Sequence, residues 1–260
     1  MALCDVSTFS SVLAVDNVRA RREVLNGLLY LADGAHVAKT GSIFPDLSLL
    51  ADKGDDLSDS DFDKLVTITH KIVQSGSVEL TLEVATTAAK LLKFSTSEEH
   101  HLLCLDILKE CAQIPSTLAS REIINETMAL TSRTIAEEVD NLALEVMLQA
   151  VSNSQVAQVC IDLNDLFLLF LRGNFASTTY QLPTAKILNK LVTKHTEKRS
   201  LFLNSLKFDE LIDELLELNP SDPQVQRLLF DASTLLEIEK KKISRQASSL
   251  VDIQPIVPIA

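Results

Sequence analysis

The chain has 260 residues, of which 46% are apolar, so it can bury a sizeable core in one or two domains. Its 36 acidic against 24 basic residues give a formal net charge of -12, which disfavours nucleic acids and anionic membrane surfaces as partners. Glycine and proline are few and tryptophan is absent, a composition that favours helices over sheets.

The N-terminus and the cysteines indicate the compartment. Residues 1–11 lack the basic and apolar regions of a signal peptide, and no later stretch reaches the 18 or so uncharged apolar residues of a membrane span. The four cysteines, Cys4, Cys104, Cys111 and Cys160, show no disulfide-framework spacing and no C-x-x-C pair. We therefore expect no membrane span and a reducing location, cytoplasmic with the nucleus as an alternative.

Six strongly apolar segments recur at a nearly constant spacing along the chain. They open at Leu25, Leu65, Leu105, Leu144, Leu188 and Leu228. Three residues later on the same helical face stand Leu28, Ile68, Leu108, Met147 and Leu191, whereas the sixth position is Asp231. Between these helices lie second apolar segments at 43–51, 82–92, 123–135, 159–171 and 206–218. A spacing of about 40 residues is the period of stacked helical hairpins, so we predict a stack of such hairpins.

Two stretches carry a family resemblance. Residues 24–32, Val-Leu-Asn-Gly-Leu-Leu-Tyr-Leu-Ala, followed by residues 38–50 with the break at Gly41-Ser42, resemble the third helix of an armadillo repeat leading into the next repeat. Residues 185–236 repeat this arrangement. Over residues 17–239 the chain is thus similar to the armadillo/HEAT superfamily. The resemblance implies an all-α, right-handed α-solenoid of about five to six armadillo-like repeats, forming one elongated domain over residues 1–239 with a concave inner groove.

The third helices of armadillo proteins line the groove that holds extended peptides. The residues aligned with that groove are Glu23, Asp63, Leu103, Ile107, Leu142, Val146, Lys186, Lys190 and Lys194. This set is acidic first, apolar in the middle and basic last, which suits an amphipathic helix or an extended apolar peptide. The asparagines and tryptophans of importin-α are missing, which argues against recognition of nuclear signals of that type. The alternative is that the four central apolar residues are ordinary core.

Residues 240–260 differ from the repeats. A basic run from Lys240 is followed by an apolar end with two prolines, which predicts a flexible tail. Arg245-x-x-Ser248 matches a basophilic kinase site, so Ser248 is a candidate phosphorylation site. The alternative is a frayed terminus with a solvated charge run.

No catalytic or metal motif is complete in this sequence. The histidines are scattered, and no nucleophile or phosphate-binding motif accompanies them. His100 and Cys104 stand one turn apart as in a zinc pair, but no second pair is recognisable. Residues 59–63 copy the first three ligands of an EF-hand loop, yet Lys64 and His70 occupy the glycine and glutamate positions. Ser60-x-x-Asp63 better fits a capping box that starts a helix. We expect no enzyme activity, no cofactor and no metal.

These observations favour a non-enzymatic scaffold or adaptor that binds a partner protein along the third-helix groove, between Leu103 and Lys190. The alternative is a regulatory factor such as an armadillo-type nucleotide-exchange factor for a cytosolic heat-shock chaperone. That alternative depends on similar size and repeat count alone.

Overall fold

The computed structural model describes residues 7–13, 17–33, 37–133 and 136–251. These residues form α-helices joined by turns and short 3-10 helices, with no strand among them, which confirms the all-α prediction. The chain divides into two compact units, Met1–Val159 and Cys160–Ala260. No single helix in the described ranges is long and apolar enough to cross a membrane, and α10 and α11 meet that test only as a bent pair.

The helices of the first unit are α1 (Ser7–Leu13), α2 (Val18–Ala32), α3 (Val37–Thr40), α4 (Phe44–Ala51), α5 (Asp59–Gln74), α6 (Leu82–Phe94), α7 (Glu98–Cys111), α8 (Arg121–Arg133) and α9 (Glu137–Ala150). The next helix, α10 (Ser154–Asp162), contains the boundary between the units. Short 3-10 helices occupy Gly41–Ile43, Gly54–Asp56 and Pro115–Leu118.

In the first unit, helices that stand one apolar period apart in the sequence pack side by side. One row runs from α2 to α5, α7 and α9, and a second row runs from α4 to α6 and α8. The four period residues of the first row, Leu25, Leu65, Leu105 and Leu144, are all fully buried. The apolar period therefore marks the core side of each long helix, as predicted.

The second unit contains α11 (Asn164–Phe175), α12 (Gln181–Lys194), α13 (Arg199–Asn204), α14 (Phe208–Glu217) and α15 (Pro223–Val251). The long helix α15 packs against α12, α13 and α14. The Phe202 and Phe208 rings stack with centroids 5.2 Å apart, and the Phe167 ring lies 6.4 Å from that of Phe208. These aromatic side chains fill the space between α11, α13 and α14.

The last helix departs from the predicted pattern in its register and its length. Its fully buried residues are Val225, Leu229, Ala232 and Leu236, so Leu229 takes the core position that was predicted for Leu228. The helix also continues through the basic run to Val251, beyond the predicted end at Glu239. Lysine, arginine, glutamine and alanine are all good helix formers, so the run can prolong the helix. Flexibility of residues 240–260 stays a prediction, and residues 252–260 lie outside the described ranges.

Candidate partner-binding surface

The predicted groove residues fall into two groups, one in each unit. Glu23 on α2 and Asp63 on α5 are exposed, and Leu103 on α7 and Leu142 on α9 are half-buried. The three lysines, Lys186, Lys190 and Lys194, all lie on α12 in the second unit and share one helical face. Two effects lower the pKa of Lys190: its burial, which is the larger, and the positive charge of Lys194.

Two of the predicted groove residues belong to the core. Ile107 is 0% exposed and Val146 is 1% exposed. Ile107 is buried because α7 packs against α5, α6 and α9, and Val146 because α9 packs against α7 and α8. Ile107 and Val146 therefore offer no surface to a partner. The alternative that the four central residues are core holds for these two but not for the half-buried Leu103 and Leu142.

Charged and polar side chains link successive long helices of the first unit. Asp63 Oδ1 lies 3.0 Å from His100 Nε2, and Lys109 Nζ lies 2.9 Å from Glu145 Oε2. The other links join Arg22 to Asp61 and Asp33 to Lys71. The two partners of each link stand slightly less than one apolar period apart in the sequence. Most of these side chains are partly exposed, so the links lie at the solvent-facing sides of the long helices.

Asp61 is a buried carboxylate at the start of α5. Ser58 caps this helix: its Oγ accepts from the Asp61 amide at 3.3 Å and donates to Asp61 Oδ2 at 2.8 Å. The N-cap is thus Ser58, with Asp61 three residues later, whereas the sequence predicted Ser60 with Asp63. Burial alone would raise the pKa of Asp61, but hydrogen bonds from Ser58 and Arg22 and the charges of Arg22 and Lys64 together lower it.

The solvent-facing sides of α7 and α9 combine leucines with carboxylates. Leu102, Leu103, Asp106 and Glu110 lie on the unburied side of α7, and Leu142 lies on that of α9. On their unburied sides α7 and α9 together carry seven aspartates and glutamates and one lysine. We call the unburied sides of these two helices the α7/α9 face. The sequence alignment found its leucines but not its negative charge, which a count of acidic residues on these two helices would have revealed.

The residues that resemble parts of metal-binding motifs have structural roles in this fold. The EF-hand-like residues 59–63 form the first turn of α5, where carboxylates favour the helix dipole. His100 pairs with Asp63, while Cys104 is fully buried and burial raises its pKa. In the described ranges, no three His, Cys, Asp or Glu side chains are grouped so that they could hold a metal ion.

The cysteines in the described ranges are buried. Burial raises the pKa of Cys111 and of Cys160 to about 12. A thiol with so high a pKa stays protonated and is a poor nucleophile at neutral pH. Cys4 and His36 lie outside the described residues.

Comparison with known proteins informs the fold alone. No family model matches the chain, and no curated protein matches it significantly. The chain is similar to the crystal structure of an engineered protein, a target of the Northeast Structural Genomics Consortium, with 15% sequence identity and a TM-score of 0.55. That alignment covers 90% of this chain and 97% of the engineered one.

A de novo designed 16-helix transmembrane nanopore aligns at 11% identity over 95% of this chain and 68% of that chain. Its TM-score of 0.19 is too low to support a conclusion. The comparisons thus show a many-helix protein whose structural neighbour is an engineered helical protein.

Proposed function

We propose that this chain is a non-enzymatic interaction scaffold or adaptor of the armadillo/HEAT type, and that its partner protein binds along α5, α7 and α9. The observation that carries the proposal is the row α2, α5, α7 and α9, in which each long helix packs against the previous one. Repeats stacked in this way place equivalent helix faces side by side and present an extended binding surface.

Short helical elements between the two rows support the armadillo assignment. The helix α3 and the 3-10 helix at Gly41–Ile43 separate α2 from α4, and the 3-10 helix at Pro115–Leu118 separates α7 from α8. In the second unit, α13 separates α12 from α14. A short first helix followed by two longer helices is the pattern that the armadillo resemblance implies.

The half-buried leucines indicate where the partner makes contact. Leu103 and Leu142 keep part of their apolar surface in water, whereas Leu105 and Leu144 on the same helices are fully buried. Apolar side chains within a polar surround are typical anchors of protein interfaces. The proposed binding surface is therefore centred on the α7/α9 face.

Site-specific photo-cross-linking tests this function. A photoreactive amino acid is placed at Leu103 or at Leu142 in the full chain, and at Leu82 on α6 as the control. Leu82 is an exposed apolar residue of the other row of helices. We expect Leu103 and Leu142 to capture the same protein in cells while Leu82 does not. Equal capture at all three positions, or capture at Leu82 alone, would contradict the proposal.

A further inference from the structure

The α7/α9 face is acidic, and this charge narrows the class of partner. Glu99 and Glu138 are exposed in the first turns of the two helices, and Glu110 is half-buried near the end of α7. Lys109, the one lysine or arginine of the two helices, is paired with Glu145. The carboxylates therefore outnumber the cations that could neutralise them from α7 and α9.

The main chain of α7 and α9 limits the conformation in which a partner segment can bind. The main chain of α7 and α9 is bonded within the helices, and no strand edge exists in the described ranges, so an extended peptide has no backbone to pair with. On α7 and α9, the positions that the armadillo resemblance aligns with peptide-gripping asparagines are Ile107 and Val146, which are apolar and buried. An α-helix needs no such grip, because it satisfies its own backbone and binds through side chains.

We infer that the α7/α9 face binds a basic amphipathic α-helix of a partner protein. The apolar stripe of that helix covers Leu103 and Leu142, and its lysines and arginines lie against Glu99, Glu110 and Glu138. This inference depends on the proposed function, since it names the partner class for the same surface. The leucines supply most of the affinity, while the carboxylates select the sign of the partner's charge and speed its association.

A pair of synthetic helices tests the charge preference. Two labelled peptides of about 18 residues, long enough for helical turns to form on binding, share one leucine stripe and carry either lysine or glutamate on the polar side. Binding to the full chain is measured by fluorescence anisotropy. We expect the lysine peptide to bind and the glutamate peptide not to bind. Binding of both peptides, or of the glutamate peptide alone, would overturn the inference.

Matched variants locate the binding site. One variant carries Leu103→Ser with Leu142→Ser, and a second carries Glu99→Gln, Glu110→Gln and Glu138→Gln. The control carries Glu210→Gln, Asp213→Asn and Glu217→Gln on α14 of the second unit, which removes the same number of charges. Each site variant should weaken lysine-peptide binding at least about tenfold, and the control less than about twofold. Equal weakening by the control would mean that the peptide senses only the net charge of -12.

The outcomes also separate this inference from the proposed function. The glutamine variant changes exposed or half-buried side chains only, so it remains informative if the serine variant fails to fold. If cross-linking at Leu103 captures a partner while the lysine peptide does not bind, the helix inference is wrong and the scaffold function stands. If neither experiment detects binding at this face, both are wrong.

Discussion

Replacing Leu105 with alanine is expected to lower the free energy of unfolding of the first unit by about 3 kcal/mol. Leu105 is 0% exposed on α7, the helix that packs against α5, α6 and α9. The substitution removes three buried carbons at about 0.8 kcal/mol each and leaves a cavity that adds to the loss. Leu103→Ala, two residues away on the half-buried side of α7, should cost less than about 1 kcal/mol.

Urea unfolding with a reporter in the first unit measures this difference. The chain has no tryptophan, so Tyr30→Trp at a 73% exposed position of α2 gives a fluorescence signal from that unit alone. With an m-value of about 2 kcal/mol/M, Leu105→Ala should lower the midpoint by about 1.5 M and Leu103→Ala by less than about 0.5 M. Equal shifts for the two alanine variants would refute the assigned orientation of α7.

Three further predictions concern acid stability and backbone packing. The lowered pKa of Asp61 stabilises the folded chain above the unfolded pKa of about 3.9, and this stability is lost as the pH falls below that value. Asp61→Asn should therefore lower the free energy of unfolding by about 2 kcal/mol at neutral pH. In thermal melts, the same variant should lose less stability on acidification. Burial lowers the pKa of His101, so stability should fall as pH drops below about 6.5, and His101→Gln should flatten that dependence between about pH 7 and 5. A Cβ added at Gly54 would overlap the Phe94 ring, so Gly54→Ala should lower the free energy of unfolding by about 1–3 kcal/mol. Gly173 on α11 has open space around it, so Gly173→Ala should raise the free energy of unfolding by about 0.5–1 kcal/mol in the same melts.

The buried side of most helices could be predicted from the sequence because one physical cause determines it. A helix that packs against neighbours must place apolar residues three and four positions apart, and that spacing is visible without a structure. Leu25 and Leu188 follow this spacing and are fully buried. The predicted register of the last helix is displaced by one residue because Leu228 and Leu229 are adjacent, and only packing against α12 selects Leu229.

Helix ends and surface contacts could not be predicted to the residue. Both Ser58 with Asp61 and Ser60 with Asp63 have the spacing of a capping box, and the choice depends on where α5 begins. The structure uses Asp63 to bind His100 on the next long helix instead. That contact joins residues 37 positions apart, and local sequence patterns do not reveal such pairs.

Ile107 and Val146 show why an alignment of repeats does not by itself identify surface residues. An alignment of repeats shows which positions correspond, but it does not show how far each helix is rotated about its own axis. On α7 the wide buried arc includes Ile107, while Leu103, one turn earlier, remains half-exposed. A rotation of a few tens of degrees is enough to move an apolar residue from surface to core, and the sequence gives no direct measure of it.

Folding accounts for the core side of α7 and α9 but not for the composition of their other side. The close packing of Leu105 and Leu144 stabilises the row of long helices, and that packing does not depend on the sign of the charges on the water-facing side. Instead the unburied sides of α7 and α9 carry six more acidic than basic residues, whose mutual repulsion opposes folding, beside leucines that the fold leaves half-exposed. A bound basic amphipathic helix would neutralise the carboxylates and remove those leucines from water. The repulsion and the exposed apolar surface that oppose folding at this face would therefore both favour binding of such a partner.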